Sequence, residues 1–158
     1  MMSITYRKAT IKDIKILIKL RLKYLTTDSG ELGKDETEVI VTQLQDYFTR
    51  QINGNFVAFL AEYDGEAISA VYMAVSEKPA NPTFITGKTA TILNVFTYPD
   101  YRCKGIATKL LEMIIDEAKS MDISYLELSA TYSGKSLYEK LGFIHWQSKY
   151  TEMRLRLL

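Results

Sequence analysis

An apolar run, Thr91-Ile92-Leu93-Asn94-Val95-Phe96-Thr97, gives way to Tyr98-Pro99-Asp100-Tyr101-Arg102-Cys103-Lys104-Gly105 and then to a helical pattern from Ile106 to Met121. The run carries β-branched and aromatic residues and reads as a strand, and Pro99-Asp100 reads as a turn. A strand that feeds a helix through a short turn is the first half of a β-α-β unit. Its second strand, expected at Tyr125–Ala130, returns parallel to the first by a right-handed crossover. The junction therefore commits the chain to a sheet covered by helices.

The junction also has a chemistry. A helix start presents unpaired backbone N–H groups and the positive end of the helix dipole. Arg102 and Lys104 add full charges. Gly105 removes a Cβ from the approach to the backbone, and the N–H groups from Cys103 to Ala107 can form an anion nest. The loop Arg102–Thr108 suits a phosphate-bearing ligand. An ordinary strand-to-helix turn with surface cations is the plainer reading.

The rest of the chain supplies a meander. Ser3–Arg7 reads as a short strand. Thr10 with Asp13 forms a capping box with Asp in place of Glu, ahead of Ile11, Ile14, Ile18, Leu22 and Leu25 at helical spacing. Thr26–Thr37 is expected as a loop and Glu38–Ile52 as a second helix, stopped by Asn53-Gly54. Strands follow at Phe56–Glu62 and Ile68–Val75, joined by the hairpin signal Asp64-Gly65. Residues 77–88, with Pro79 and Pro82, read as a loop. A short helix is expected at Lys135–Leu141, then closing strands at Ile144–Trp146 and Met153–Leu157. The order is β-α-α-β-β-β-α-β-α-β-β: a single α/β (α+β) domain, 1–158, with a mixed, mostly antiparallel sheet and helices on its faces.

Composition narrows the function classes. In 158 residues, 47% are apolar and 25% charged, as in a soluble globular chain with a sizeable core. A net charge of +1 gives no global electrostatic ground for a nucleic-acid or membrane partner. Arg7, Lys8, Lys12, Asp13 and Lys15 interrupt any apolar signal core near the N-terminus, and no apolar run approaches a bilayer span. One Cys excludes an internal disulfide and fits a reducing cytoplasm. One Cys with one His argues against structural zinc, so no metal is expected.

The spacing Arg102-x-x-Gly105-x-Ala107 resembles the acetyl-CoA signature of the GCN5-related N-acetyltransferases, the GNAT family, Gln/Arg-x-x-Gly-x-Gly/Ala. Tyr138-Glu139-Lys140-Leu141-Gly142-Phe143 looks like that family's second hallmark, a Tyr-Glu-x-Leu-Gly-Phe helix end. Tyr6-Arg7-Lys8-Ala9-Thr10, with Asp13, resembles its first strand and helix start. The resemblance spans the chain. It implies central parallel strands that splay apart and admit the pantetheine arm of acetyl-CoA. It places backbone contacts to that arm at Val95, Phe96 and Thr97. The pyrophosphate falls to Arg102, Cys103, Lys104, Gly105, Ile106, Ala107 and Thr108.

The resemblance also assigns catalytic roles. Tyr138 occupies the general-acid position. A phenol of pKa about 10 can protonate a departing thiolate, whose thiol has a pKa of about 8.5; a tyrosine anchoring the short helix is the alternative. Glu127 resembles the glutamate used as base by the ribosomal-protein alanine acetyltransferases of the family, although the segment from Glu127 to Tyr138 is one residue shorter here. Other members place a carboxylate where Thr91 stands, and threonine cannot serve as that base. Proton loss through water is the alternative. Ser133-Gly134-Lys135-Ser136 replaces the usual Asn and Ala, which leaves Ser133 and Lys135 as weak cofactor contacts. Tyr132 is a weaker candidate acid. Cys103 lacks a neighbouring His or Asp, and His145 reads as a strand residue.

The expected activity is transfer of acetyl from acetyl-CoA to a primary amine, small molecule or peptide, by direct attack in a ternary complex. A non-catalytic acyl-CoA-binding module is the competing class. A homodimer is left open. Five carboxylates against one lysine in Thr26–Glu38 suggest a negative rim for a cationic amine; a solvated connector is the plainer reading.

Overall fold

The computed structural model describes residues 2–158, which fall into two compact units divided after Leu128. The first holds a five-stranded sheet in the order β1-β2-β3-β4-β5: β1 (Thr5–Lys8), β2 (Phe56–Tyr63), β3 (Glu66–Glu77), β4 (Lys88–Thr97) and β5 (Leu126–Glu127). The first four strands pair antiparallel, and β5 joins β4 in parallel. Helices α1 (Ile14–Ser29) and α2 (Lys34–Gln51) follow β1, and α3 (Ile106–Ser120) crosses from β4 to β5. The mixed sheet and the crossover are those expected.

Local chemistry explains the starts and turns. The capping box forms: the Thr10 N–H donates to Asp13 Oδ2 at 2.8 Å, and the Lys12 N–H donates to Thr10 Oγ1 at 3.3 Å. Arg7 then grips Asp13 with two 2.8 Å hydrogen bonds and reaches Glu62 at 2.7 Å, tying β1, the helix start and β2 together. At the hairpin, Asp64 (φ 51°) and Gly65 (φ 78°) are both left-handed, as a type I′ turn requires, and Tyr63 pairs with Glu66.

Both faces of the sheet are covered, so its central strands lack a polar side. In β3, Ala70 and Tyr72 share a core with Leu17, Leu20, Leu44, Phe48, Phe56 and Leu60, the α1/α2 side. The alternate residues Val71 and Met73 are equally buried. They belong to the opposite face by the two-residue period, and α3 packs on β2, β3 and β4 with Ile106, Leu110, Leu111, Ile114 and Ala118 buried. The Tyr72 hydroxyl donates to the Leu17 carbonyl at 2.6 Å, which satisfies the buried phenol and fixes α1 on β3.

Three expectations are corrected. Thr26–Thr37 is mostly helical: α1 runs to Ser29, and α2 starts at Lys34. The Thr26 and Thr27 hydroxyls donate to carbonyls of Leu22 and Lys23 and so fold back onto the helix; left-handed Gly30 (φ 82°) ends it. The connector shrinks to residues 30–33. Second, the strand expected at Tyr125–Ala130 pairs only at Ala90↔Leu126 and Thr91↔Glu127. Past Glu127 the sequence turns polar at Ser129 and Thr131, and a ladder has little left to bury. Third, the closing strands at Ile144–Trp146 and Met153–Leu157 are absent: residues 143–158 carry no strand, and Ile144, Trp146, Met153, Leu155 and Leu157 are exposed. Alternation supplies a strand pattern, and a strand also needs a ladder partner.

The second unit holds α4 (Lys135–Lys140). Thr131 starts it, accepting the Gly134 N–H at its hydroxyl and its carbonyl, both at 3.1 Å. Left-handed Gly142 (φ 99°) ends it, and the Phe143 N–H donates back to the Tyr138 carbonyl at 3.0 Å.

Candidate acyl-donor site

The site is built at the end of β4. Leu93 lies opposite Tyr72 and Phe96 opposite Ala70, so Asn94 and Val95 together face the single residue Val71. This β-bulge puts Asn94 in the left-handed region at φ 54°. It coincides with the parting of the parallel strands. The last β4–β5 pair is Thr91↔Glu127, whereas β4 runs on to Thr97. Val95 and Thr97, half-buried, and Phe96, buried, therefore lie on a stretch of β4 beyond its β5 partner, where one edge of the strand has no ladder among the described residues. This is the splay expected of the central strands.

Ser69 locks the strand end. Its hydroxyl lies 2.8 Å from the Phe96 carbonyl, to which it donates, and 2.7 Å from Thr97 Oγ1. Pro99–Tyr101 then makes one 3₁₀ turn, and Arg102 doubles back so that its Nε–H donates to the Thr97 carbonyl at 2.9 Å. The two terminal guanidinium nitrogens stay available to an anion.

Cys103 (φ 60°) and Gly105 (φ 78°) turn the backbone into α3, with Gly105 at the N-cap. No side chain caps this helix. The first bond back to the loop comes from the Lys109 N–H to the Gly105 carbonyl at 3.1 Å, so Ile106, Ala107 and Thr108 sit in the turn whose N–H groups lack intrahelical partners. A Cβ at Gly105 would meet nothing within 4 Å. Its glycine is demanded by the positive φ, and the space above it is open. Arg102, Cys103 and Lys104 are exposed, Ala107 and Thr108 half-buried, and the Ile106 side chain turns into the core. An uncapped helix start, two cations and open space together fit a pyrophosphate.

Glu127 is exposed and stands on the same rung as Thr91, whose hydroxyl approaches its Oε1 at 3.4 Å, a long contact. Burial, with the Glu127 charge beside it, raises the Tyr125 phenol.

A sequence model of the acetyltransferase (GNAT) family matches residues 20–143. The chain belongs to the acetyltransferase (GNAT) family. A predicted acetyltransferase solved with acetyl-CoA from Clostridium acetobutylicum is 31% identical and superposes with a TM-score of 0.84 over 96% of each chain. Glucosamine-6-phosphate N-acetyltransferase from Arabidopsis thaliana, 21% identical, shares the fold at a TM-score of 0.67 over 96% of this chain and 98% of that one. The ribosomal protein bS18 alanine N-acetyltransferase of Escherichia coli K12 is 39% identical over 57 residues, 34% of this chain and 38% of its own. The chain thus aligns with well under half the length of that curated relative.

In this family member the second unit carries Tyr138, half-buried on α4, its ring 6.0 Å from that of Phe143. Gly134 is fitted closely beneath it: a Cβ there would lie 3.3 Å from Tyr138 Cε2. Tyr132, Ser133, Lys135 and His145 are exposed. The acidic residues of the expected rim are redistributed: Asp28 ends α1, Asp35, Glu36 and Glu38 open α2, and Glu31 alone stays in the connector. Among the described residues, no group of three or more His, Cys, Asp and Glu could hold a metal, and no helix is long and apolar enough to cross a membrane. Sequence reasoning missed Ser69 and the bulge at Asn94. A lone Asn inside an apolar run was the available signal, because Asn tolerates left-handed backbone better than most residues.

Proposed function

We propose that the protein is an acetyl-CoA-dependent N-acetyltransferase that passes the acetyl group directly to a primary amine in a ternary complex. The observation that carries this reading is the pairing of a β4 end that outruns its β5 partner with an uncapped α3 start, whose N-cap Gly105 has open space where a Cβ would stand. The thioester supplies an activated acyl group. The Arg102 guanidinium, Lys104 and the N–H groups around Cys103–Thr108 hold the phosphates, and Val95, Phe96 and Thr97 align the extended arm. Alignment of thioester and amine is the main catalytic gain.

Glu127 is the proposed base, taking a proton from the ammonium so that its nitrogen can attack. Tyr138 is the proposed acid, delivering a proton to the departing thiolate. The acceptor is an amine of a small molecule or a peptide; the local likeness to a ribosomal-protein alanine N-acetyltransferase favours a protein N-terminus. The protein acts in the cytoplasm in this reading. Calorimetric titration with acetyl-CoA tests the donor. Binding that Arg102→Glu abolishes, in a variant that keeps its melting temperature, is the expected result; equal binding by Arg102→Glu overturns the assignment.

A further inference from the structure

In the buried run Ile68–Met73 of β3, only Ser69 and Tyr72 carry polar side-chain groups, and the Tyr72 hydroxyl is spent on α1. Ser69 is 1% exposed. Alanine would pack there with no hydroxyl to satisfy, so packing does not explain the residue. Its partners do. The Ser69 hydroxyl has one proton, which goes to the Phe96 carbonyl at 2.8 Å. At 2.7 Å from Thr97 Oγ1 it therefore accepts the proton of the Thr97 hydroxyl. Thr97 is held a second time, at its carbonyl, by the Arg102 Nε–H. Thr97 thus joins a buried hydroxyl of β3 to the guanidinium of the β4–α3 loop.

The end of β4 needs such a joint. Past the bulge it keeps only the rungs Ala70↔Phe96 and Ser69↔Thr97 on β3, and β5 has already left its other edge after Thr91. A strand end held on one side over two rungs opens locally at low cost. A chain of two hydroxyls and a carbonyl, each bond polarising the next, stiffens it.

Resting on the reading of Arg102–Thr108 as the pyrophosphate loop, we propose that Ser69 is a positioning residue: through Thr97 it fixes the Arg102 guanidinium so that its two terminal nitrogens face the donor's phosphates. Ser69 itself touches no donor atom. Its effect falls on the phosphate-bearing half of acetyl-CoA and not on the arm.

The test compares the dissociation constants of acetyl-CoA and of S-acetylpantetheine, which lacks the nucleotide and every phosphate. Ser69→Ala is expected to weaken acetyl-CoA by roughly 3- to 10-fold and to leave S-acetylpantetheine unchanged. In an Arg102→Gln background the same change should cost nothing further, because the group it positions is gone. Thr97→Val should reproduce the loss, and Thr97→Ser, which keeps the hydroxyl, should not. That pair carries the comparison if Ser69→Ala fails to fold. In ligand-free protein labelled with ¹⁵N-arginine, the Nε–H signal missing from Arg102→Gln should move in Ser69→Ala. Unchanged acetyl-CoA affinity, equal weakening of both donors, an undiminished loss in the Arg102→Gln background, or an unmoved Nε–H signal overturns the proposal. Failure of the wild type to bind acetyl-CoA refutes the underlying reading instead.

Discussion

The Arg102 Nε–H donates to the Thr97 carbonyl at 2.9 Å, so the cation of the β4–α3 loop is braced against the end of the strand that leads into it. A guanidinium can spend one nitrogen on the protein and still offer a planar pair to a phosphate. An ammonium cannot do both in fixed geometry. Arg102→Lys should therefore weaken acetyl-CoA roughly tenfold despite its conserved charge. Arg102→Gln should also flatten the dependence of affinity on ionic strength. Titrations at two salt concentrations check both outcomes, and wild-type affinity in Arg102→Lys returns the residue to a plain surface cation.

Tyr138→Phe should lower kcat by ~10²–10⁴-fold while leaving acetyl-CoA affinity nearly unchanged, because a general acid acts as charge develops on sulfur. The ring contact with Phe143 survives the change. Steady-state kinetics beside a binding titration measure the split. Wild-type turnover between pH 7 and 9 would assign the ring to packing alone.

Much of this was legible in the sequence. The Asp64-Gly65 hairpin, the Thr10/Asp13 cap and the β4-to-α3 junction each rest on chemistry within a few residues, and local sequence specifies them. The extent of α1 was not: Thr26–Thr37 reads as a loop from Asp28-Ser29-Gly30 and Gly33, while the Thr26 and Thr27 hydroxyls are spent on the helix itself and carry it to Ser29. The bulge depends on how β3 opposes β4, a pairing between residues remote in sequence. The closing strands failed for a like reason: Met153-Arg154-Leu155-Arg156-Leu157 alternates, and alternation does not say what a strand pairs with. At the site, the loop cations and Gly105 announced themselves; Ser69, which holds Phe96 and Thr97, lies in a different strand and left no local mark.

Glu127→Gln should shift the pH optimum of acetyl transfer upward. Without a base the amine must shed its own proton, with a pKa of about 10.4, before it attacks. Loss at neutral pH and recovery toward alkaline pH is the expected profile. Thr91→Val, which removes only the 3.4 Å contact, should change the rate several-fold at most. A profile unmoved by Glu127→Gln assigns proton removal to water.

Asp13 bears on stability and not on chemistry. Hydrogen bonds from Arg7, before the offset of burial, hold its carboxyl below the ordinary carboxylate value. A depressed folded-state pKa contributes stability that is complete above the unfolded value of about 3.9 and is lost as pH falls through the folded one. Asp13→Asn should lower stability at pH 7 by about 2 kcal/mol, through the lost ion pair and helix cap. It should also flatten the decline below pH 4. Urea unfolding at pH 7 and pH 3 compares the two chains.

The most direct measurement is release of CoA thiol from acetyl-CoA, followed against a panel of small amines and peptides with free N-termini, with products identified by mass spectrometry. The account predicts thiol release that depends on the amine, matched one for one by N-acetylated product. Saturable acetyl-CoA binding with no amine-dependent release across the panel would contradict it and leave an acyl-CoA-binding module in its place.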